Sequence, residues 1–187
     1  MIGSRLELKQ ALSYEYRLYF GSDDISRYWK LRILRDQDYL IWTFIKALRY
    51  QEYHANTKHY LRYVLWERRK NIIGSKLGIT ICHNTVDVDL RIWQYRNIVI
   101  NGNARIGKNC QLHGDIVIGN KGDFVNSNKA PIIGYNVDIG VGAKIIGPVR
   151  VADNVKIGAN AVVTQVMRNS VCSSHWCTGK SYKIIAF

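Results

Sequence analysis

The 187-residue chain lacks any uninterrupted apolar run of about 20 residues, the length that crosses a bilayer as a helix. The best candidate, residues 39–45, is closed off by Lys46. The first ten residues also lack the apolar core of a secretory signal. We therefore expect a cytoplasmic protein, with peripheral contact at the inner face of the membrane as an alternative.

Acidic residues are scarce relative to basic ones. The sequence has 14 Asp and Glu against 27 Lys and Arg, which gives a formal net charge of +13. Such a surface attracts anions such as nucleotide phosphates, acidic glycans or anionic lipids. The chain shows no zinc-finger spacing and no ladder of alternating aromatic and basic residues, so we do not expect nucleic acid as a partner.

Cysteine is also sparse. The four cysteines are Cys82, Cys110, Cys172 and Cys177. His113 and His175 lie close to three of them in sequence, but the spacing lacks the tight pairs of structural zinc sites. Without a secretory signal, thiols stay reduced. We expect reduced cysteines and no metal site.

The first 80 residues have the pattern of an α-helical region. Ser4 and Glu7 form a capping-box sequence, and apolar residues then recur at helical spacing. Aromatic and basic residues are frequent here, which suits either helix packing or contact with a membrane surface. The predicted helices run from Ser4 to a break at Gly21, from Asp36 or Asp38 to about His54, and from a cap at Asn56–Thr57 to about Gly74.

Residues 81–170 follow a six-residue repeat. An aliphatic residue opens each unit, and a small or aliphatic residue stands four positions later. A period of six misfits a 3.6-residue helix but suits a short strand followed by a corner, so three units complete one triangular coil. The pattern predicts a parallel β-helix, followed by a tail at 171–187. The openers are Ile100, Ile106, Leu112, Ile118, Ile133, Ile139, Ile145, Val151, Ile157 and Val163.

Five stretches carry a family resemblance: residues 48–53, 76–84, 98–122, 130–134 and 158–163. They resemble left-handed β-helix (hexapeptide-repeat) acyltransferases, and in particular the serine acetyltransferase-like branch linked to bacterial surface-polysaccharide synthesis. The resemblance implies transfer of an acetyl group from acetyl-CoA to a hydroxyl. It also implies a homotrimer with active sites between neighbouring prisms, and a histidine as general base.

Three positions depart from that pattern. The resemblance places the catalytic histidine at Gln94, a preceding aspartate at Trp93, and a second, serine-binding histidine at Ala130. Glutamine cannot act as a general base. These departures argue against serine as the acceptor, and we expect a sugar or glycan hydroxyl instead.

His113 is the candidate replacement for the missing base. If three units of six make one coil, residue 112 stacks on residue 94, which brings His113 close to Gln94. Imidazole titrates near neutral pH and can take a proton from an alcohol. We expect His113 as the base, Gln94 as a hydrogen-bond partner of the substrate, and Asp115 as the group that orients the ring. The alternative is a corner histidine with no role in chemistry.

Acceptor contacts are expected beside this site and in a loop. The step from Ile118 to Ile133 is fifteen residues, against twelve for two whole units, so a loop must bulge there. Loops on a rigid scaffold often carry binding groups. The candidate acceptor contacts are Trp93, Tyr95, Lys121, Asp123 and Asn126.

The second run of repeats is expected to bind acetyl-CoA. Gly140, Gly142 and Ala143 are small enough for a pantetheine arm to approach the backbone, and Lys144 and Lys156 could bind phosphates. Lys144, Arg150 and Lys156 are six apart and therefore occupy successive faces, so one ligand cannot use all three. The tail lacks the ending that is usual in this family and that helps to enclose the CoA site. We therefore expect a less complete binding site for the adenine end of acetyl-CoA.

The sequence thus predicts an acetyl-CoA-dependent O-acetyltransferase acting on a sugar or glycan hydroxyl in polysaccharide biosynthesis. The glycine pattern and His113 favour an enzyme. The alternative is a β-helix scaffold or regulatory subunit that has lost catalysis, which the glutamine at position 94 and the divergent tail favour.

Overall fold

The computed structural model describes residues 2–21, 25–122 and 129–164. Four helices come first: α1 (Arg5–Phe20), α2 (Ile25–Ile33), α3 (Gln37–Asn56) and α4 (Tyr60–Leu77). No helix in the described ranges is long and apolar enough to cross a membrane. The predicted tail at 171–187 lies outside the described residues.

The helix starts are mostly as predicted. The capping box is confirmed, since Ser4 Oγ accepts a hydrogen bond from the Glu7 amide at 3.2 Å and the Glu7 carboxylate accepts one from the Ser4 amide at 3.1 Å. Helix α1 ends at Gly21, which has φ of +82°. Asp36 caps α3, as expected.

The helix predictions are wrong at three points. Helix α2 was missed. The third predicted helix was expected to start at a cap at Asn56–Thr57, but Asn56 ends α3, Thr57 is its C-cap, and α4 begins after His59. Helix α4 also continues past Gly74 to a left-handed cap at Gly78.

Gly74 is small for another reason: a Cβ there would lie 2.5 Å from the carbonyl oxygen of Ile79 and 3.1 Å from the Phe44 ring. This glycine allows α4 to pack closely on the first strand, so it is a packing residue and not a helix stop.

Short strands form the rest of the described chain, and they pair in parallel. The strands are β1 (Ile79–Thr80), β2 (Arg91–Ile92), β3 (Ile98–Ile100), β4 (Arg105–Ile106), β5 (Gln111–Leu112), β6 (Val117–Gly119), β7 (Ile132–Ile133), β8 (Asp138–Ile139), β9 (Lys144–Ile146), β10 (Arg150–Val151), β11 (Lys156–Ile157) and β12 (Val162–Val163).

Successive strands occupy three sheets in turn, which form the three sides of a prism. The sheet orders are β1-β3-β6-β9-β12, β4-β7-β10 and β2-β5-β8-β11. The repeat openers point inward and are buried, as Leu112 and Ile139 illustrate with no exposed surface. The predicted parallel β-helix is therefore confirmed.

The coils differ in length at two places, and both differences correct the sequence reading. Ile139 pairs with Ile157, a regular step of 18 residues, but Ile92 pairs with Leu112, a step of 20. The corner after Ile92 is two residues longer than the others and includes Arg96 and Asn97 at positive φ. Residue 112 therefore stacks on residue 92 and not on residue 94.

The second difference is the loop before β7. Ile118 ends one side of the prism and Ile133 belongs to the very next side, since Ile106 pairs with Ile133 and Ile118 pairs with Ile145. A single step of six is thus replaced by fifteen residues. The loop carries nine extra residues, where the sequence reading gave three.

Glycines that follow the openers mark contacts between the backbones of adjacent coils. A Cβ on Gly107 would lie 2.7 Å from the carbonyl carbon and oxygen of Gly134, and a Cβ on Gly140 would lie 2.7 Å from the amide of Ala159. Gly158 has the same place in its unit but meets nothing within 4 Å. The repeat therefore requires glycine only where another described coil lies against it.

A buried ion-pair network joins the helices to the prism. The Arg49 guanidinium contacts Glu15 at 2.7 Å and Glu52 at 2.8 Å, and all three side chains are at most 2% exposed. It also donates to the carbonyls of Val86 at 2.9 Å and Asp87 at 2.7 Å. One arginine therefore ties α1 and α3 to the first corner of the β-helix.

Replacing Gly107 with alanine should destabilise the prism, because the new methyl group collides with backbone that cannot move away. We expect Gly107→Ala to lower the free energy of unfolding by about 1–3 kcal/mol. Gly158→Ala is the matched control and should change it by less than about 1 kcal/mol. Urea denaturation followed by circular dichroism measures both, and equal losses would contradict the packing explanation.

Removing the Arg49 charge should leave two carboxylates buried without a partner. We expect Arg49→Met to lower the free energy of unfolding by about 3–5 kcal/mol. Lys46→Met, on an exposed position of the same helix, should change it by no more than about 0.5 kcal/mol. Chemical denaturation compares the two variants, and a similar small loss in both would show that the network does not hold the helices to the prism.

Candidate active site

One corner of the prism gathers the polar groups of interest. It follows β2, β5, β8 and β11, where Trp93, His113, Gly140 and Gly158 succeed one another from coil to coil. Backbone bonds fix this stack, because Trp93 N donates to Leu112 O at 2.8 Å and His113 N donates to Ile139 O at 3.1 Å. His113 therefore lies between a tryptophan on one coil and a glycine on the next.

The His113 ring is held on two sides. Its Nε2 lies 2.8 Å from Oδ1 of Asp138, and its plane stacks on the Trp93 ring with centroids 6.0 Å apart and 14° between the planes. The imidazole remains 37% exposed. With Nε2 bound to the carboxylate, Nδ1 has no hydrogen-bond partner among the described residues. The ring is thus fixed in orientation and remains partly exposed to solvent.

Trp93 is itself held in place. Its indole Nε1 donates to Oε1 of Gln111 at 2.8 Å, and its carbonyl accepts a bond from Nε2 of Gln37 at 2.6 Å. The Arg91 guanidinium lies 4.7 Å from the ring centroid and pairs with Asp38 at 2.9 Å. Contacts from the helical region therefore reach the corner through Trp93 and Arg91.

The sequence reading named the wrong aspartate. Asp115 accepts hydrogen bonds from Asn97 and from Lys144, the latter at 3.2 Å, and these bonds lower the pKa of its carboxyl. It is not the partner of His113. Asp138 takes that place, because it lies directly before Ile139 in the strand that pairs with Leu112.

A signal for Asp138 does exist in the sequence. In each unit of this sheet a polar residue precedes the inward opener and faces outward, and these residues are Arg91, Gln111, Asp138 and Lys156. Finding the neighbour of His113 also requires the correct length of the loop before β7. The sequence reading made that loop six residues too short, so it did not identify Asp138 as the neighbour of His113.

Gln94 lies one coil from Gly114, the residue that follows His113, and its role as a hydrogen-bond partner of the substrate stays a prediction. Gln94 is exposed in the long corner, and its carbonyl and Cβ lie against Gly114, where a Cβ would meet them at 3.2 and 3.3 Å. Gly114 has φ of +96°. Tyr95, in the same corner, is half-buried and packs against the core. Trp93 is the residue of this corner that contacts the ring.

The residues predicted to bind acetyl-CoA do not all lie together: some lie on the corner that carries His113, and others lie on the two sheets that meet at that corner. Gly140 and Gly142 lie on the corner that carries His113, and Lys156 is exposed on the strand directly opposite Asp138. Lys144 lies on another sheet and binds the carbonyl of Asp115 at 2.6 Å. Ala143 is wholly buried in the prism, so the predicted approach of a pantetheine arm to its backbone is not possible there.

Three backbone amides of this corner already donate hydrogen bonds within the protein. Gly140 N donates to Ile157 O at 2.8 Å, and Gly142 N donates to Gly114 O at 3.1 Å. The His113 amide is also bound, as described above. These three amides therefore cannot serve as donors to an oxyanion.

The remaining site predictions fall elsewhere. Lys121 follows β6 and is exposed on a different corner, with its side chain over Gly147, where a Cβ would lie 2.9 Å from Lys121 Cε. Asp123 and Asn126 lie outside the described residues. Arg150 is on β10, which confirms that Lys144, Arg150 and Lys156 occupy three different sides.

The cysteines of the described ranges are both free thiols. Cys82 is exposed, whereas Cys110 is buried in the prism, and burial raises the pKa of the Cys110 thiol to about 11. Cys172, His175 and Cys177 lie outside the described residues. Within the described ranges no three His, Cys, Asp or Glu side chains are grouped as metal ligands.

Comparison with known proteins points to one enzyme class. No protein-family model matches this chain. A curated serine acetyltransferase from Mycobacterium tuberculosis is 27% identical over 146 residues, covering 72% of this chain and 63% of the relative. The chain spans 38–63% of the length of the first curated relatives that it matches.

Solved structures share the fold. Soybean serine acetyltransferase complexed with serine matches with a TM-score of 0.68 and 22% identity, over 85% of this chain and 63% of that one. A serine acetyltransferase in complex with CoA matches with a TM-score of 0.66 and 20% identity, over 88% and 65%. The chain therefore has the left-handed parallel β-helix fold of the acyltransferases.

The comparisons overturn the predicted acceptor. The curated relatives and structural neighbours reported above are named serine acetyltransferases and not sugar or glycan acetyltransferases. The prediction of a sugar O-acetyltransferase in polysaccharide biosynthesis is therefore wrong. The alternative of a scaffold that has lost catalysis is not favoured either. The prediction failed because it read the substitutions at Gln94 and Ala130 as a change of acceptor.

Proposed function

We propose that this protein is an acetyl-CoA-dependent O-acetyltransferase that acetylates the hydroxyl of serine, with His113 as the general base. The observation that carries the proposal is the 2.8 Å contact between His113 and Asp138 on an exposed corner of the β-helix. The names of the relatives support serine as the acceptor, and the neighbour complexed with CoA supports the donor.

The proposed chemistry uses both nitrogens of the imidazole. Asp138 accepts the hydrogen bond from Nε2–H, which fixes the tautomer and leaves the Nδ1 lone pair free. Nδ1 takes the proton of the serine hydroxyl as its oxygen attacks the thioester carbonyl carbon. The carbon–sulfur bond then breaks, and the imidazolium returns that proton to the departing thiolate of CoA. Asp138 stabilises the imidazolium between the two transfers.

The donor would lie along the same corner. Gly140 presents no side chain directly beyond His113, so a narrow pantetheine arm can approach the ring. Lys156 is exposed opposite Asp138 and supplies a positive charge for a phosphate of CoA. Lys144 is less suited to that role because it is paired with Asp115.

His113 takes over the role that the resemblance assigned to position 94. Trp93 follows Ile92, which pairs with Leu112, and it covers one face of the imidazole. The acceptor would then enter from the uncovered edge of the ring. The homotrimer implied by the resemblance stays a prediction, and velocity sedimentation of the purified chain tests it.

Replacing His113 should abolish transfer without unfolding the protein. We expect His113→Asn to lower kcat/KM for serine by about 10²–10⁴-fold, the usual contribution of a general base. Release of free CoA thiol from acetyl-CoA and L-serine measures the rate. His59→Asn, at an exposed histidine before α4, is the control and should keep full activity. Full activity in His113→Asn would contradict the assignment of the base.

The two candidate aspartates can be told apart. Asp138→Asn should lower kcat about 10- to 100-fold with little change in KM for acetyl-CoA, because it removes the group that orients the imidazole. Asp115→Asn should leave kcat nearly unchanged, because Asp115 binds Asn97 and Lys144 instead. Steady-state kinetics of both variants distinguish the two aspartates. A larger loss of kcat in Asp115→Asn than in Asp138→Asn would show that Asp115 orients the imidazole, as the sequence predicted.

A further inference from the structure

Helix α4 exposes an apolar ridge on the side that faces away from the rest of the protein. Leu61 is 79% exposed, Leu65 is 65% exposed and Ile72 is 49% exposed. These residues are separated by close to whole helical turns, so they lie within about 40° of one another around the axis. Lys70 and Gly74, by contrast, are buried against the body of the protein. The ridge lies on the opposite side of the same helix.

Basic residues flank this ridge. Arg62, Arg68, Arg69 and Lys76 are all exposed, and each lies within about 80° of the ridge around the helix axis. Glu67 is the one acidic residue in the sequence of α4, and its carboxylate accepts a hydrogen bond from the Tyr63 hydroxyl at 3.1 Å. The ridge therefore has positive charge on both sides.

We propose that α4 docks this protein onto an anionic lipid bilayer, with Leu61, Leu65 and Ile72 inserted among the lipids and the flanking basic residues bound to headgroup phosphates. An 18-residue helix of this kind is about 27 Å long and can lie in the plane of the interface. Arginine and lysine side chains suit that position because their apolar stems reach past buried surface while the charged ends stay at the headgroups.

Charge decides between a bilayer and a second copy of the chain. Packing α4 against α4 of another molecule would cover the apolar ridge but bring the flanking arginines and lysines close to one another. An anionic bilayer covers the ridge and neutralises the same charges. Nucleic acid would satisfy the charges but leave the central apolar residues against phosphate. The bilayer satisfies both features of the surface.

The inference does not depend on acetyl transfer. It rests on the exposed face of α4, whereas the proposed active site lies on the prism corner that carries His113. Its failure would leave the proposed function untouched, and the reverse also holds.

Vesicle co-sedimentation of the full chain tests the proposal. The protein should bind vesicles of equal parts phosphatidylglycerol and phosphatidylcholine, bind vesicles of phosphatidylcholine alone far more weakly, and dissociate as salt is raised. Arg68→Gln combined with Arg69→Gln should lower the partition coefficient about 25-fold, since each basic residue near an anionic surface contributes about a 5-fold factor. Leu61→Ser combined with Leu65→Ser should lower it as well.

Helix α2 supplies the matched control. Ile33 is 77% exposed, and Arg32 and Arg35 are exposed as well, so Ile33→Ser and Arg32→Gln with Arg35→Gln remove similar groups from another helix. These variants should bind the anionic vesicles as strongly as the wild-type chain does. Circular dichroism and thermal denaturation confirm that each variant is folded.

Three results would overturn the proposal. One is a wild-type chain that does not bind the anionic vesicles, or binds both vesicle types equally. Another is an equal loss of binding in the α2 controls, which would show general electrostatic adsorption. The third is dissociation of an oligomer by Leu61→Ser with Leu65→Ser while vesicle binding is unchanged, which would make the ridge a contact between copies of the chain.

Discussion

The structure depends on vertical register: each residue of the prism lies on a counterpart one coil away. Parallel strands about 4.8 Å apart bring residues distant in sequence into contact, and the repeat keeps aliphatic side chains in one inner column. Ile92, Leu112, Ile139 and Ile157 form such a column. Because the column is continuous, a corner can grow or shrink only on the outside. Changes in corner length therefore alter the sequence separation of residues that meet on neighbouring coils, while the core stays the same.

The candidate site follows from that constraint. His113 follows Leu112 and Asp138 precedes Ile139, and these two inner residues pair in the sheet, so side chains 25 residues apart meet. Trp93 meets His113 because it follows Ile92, which pairs with Leu112. The long loop and the longer first corner lie outside the inner column, so they change the sequence separation of these residues and not the strand register. The strands therefore bring the side chains of the site together, and insertions at the corners leave that arrangement intact.

The fold could be predicted from the sequence more fully than the site. The inward openers such as Leu112 and Ile139 repeat at a strict interval, and burial of that pattern has one simple solution. Helix α2 escaped prediction because it has only nine residues and none of them is fully buried, so its apolar residues do not form a clear core-facing stripe. Gly74 was misread because a glycine that permits close packing looks the same in sequence as one that ends a helix. Asp138 was missed because its contact depends on a loop length and not on a local pattern.

The functional reading failed for a related reason. It compared residues with a family pattern one position at a time, and it took Gln94 and Ala130 as evidence of a changed acceptor. A general base is defined by where its nitrogen lies relative to the reacting atoms, and a neighbouring coil can supply that nitrogen as well as the original position. In this β-helix, positions 93, 113 and 140 form one spatial unit although they come from three coils. The loss of a histidine at one level of such a stack therefore says little about chemistry until the other levels have been placed.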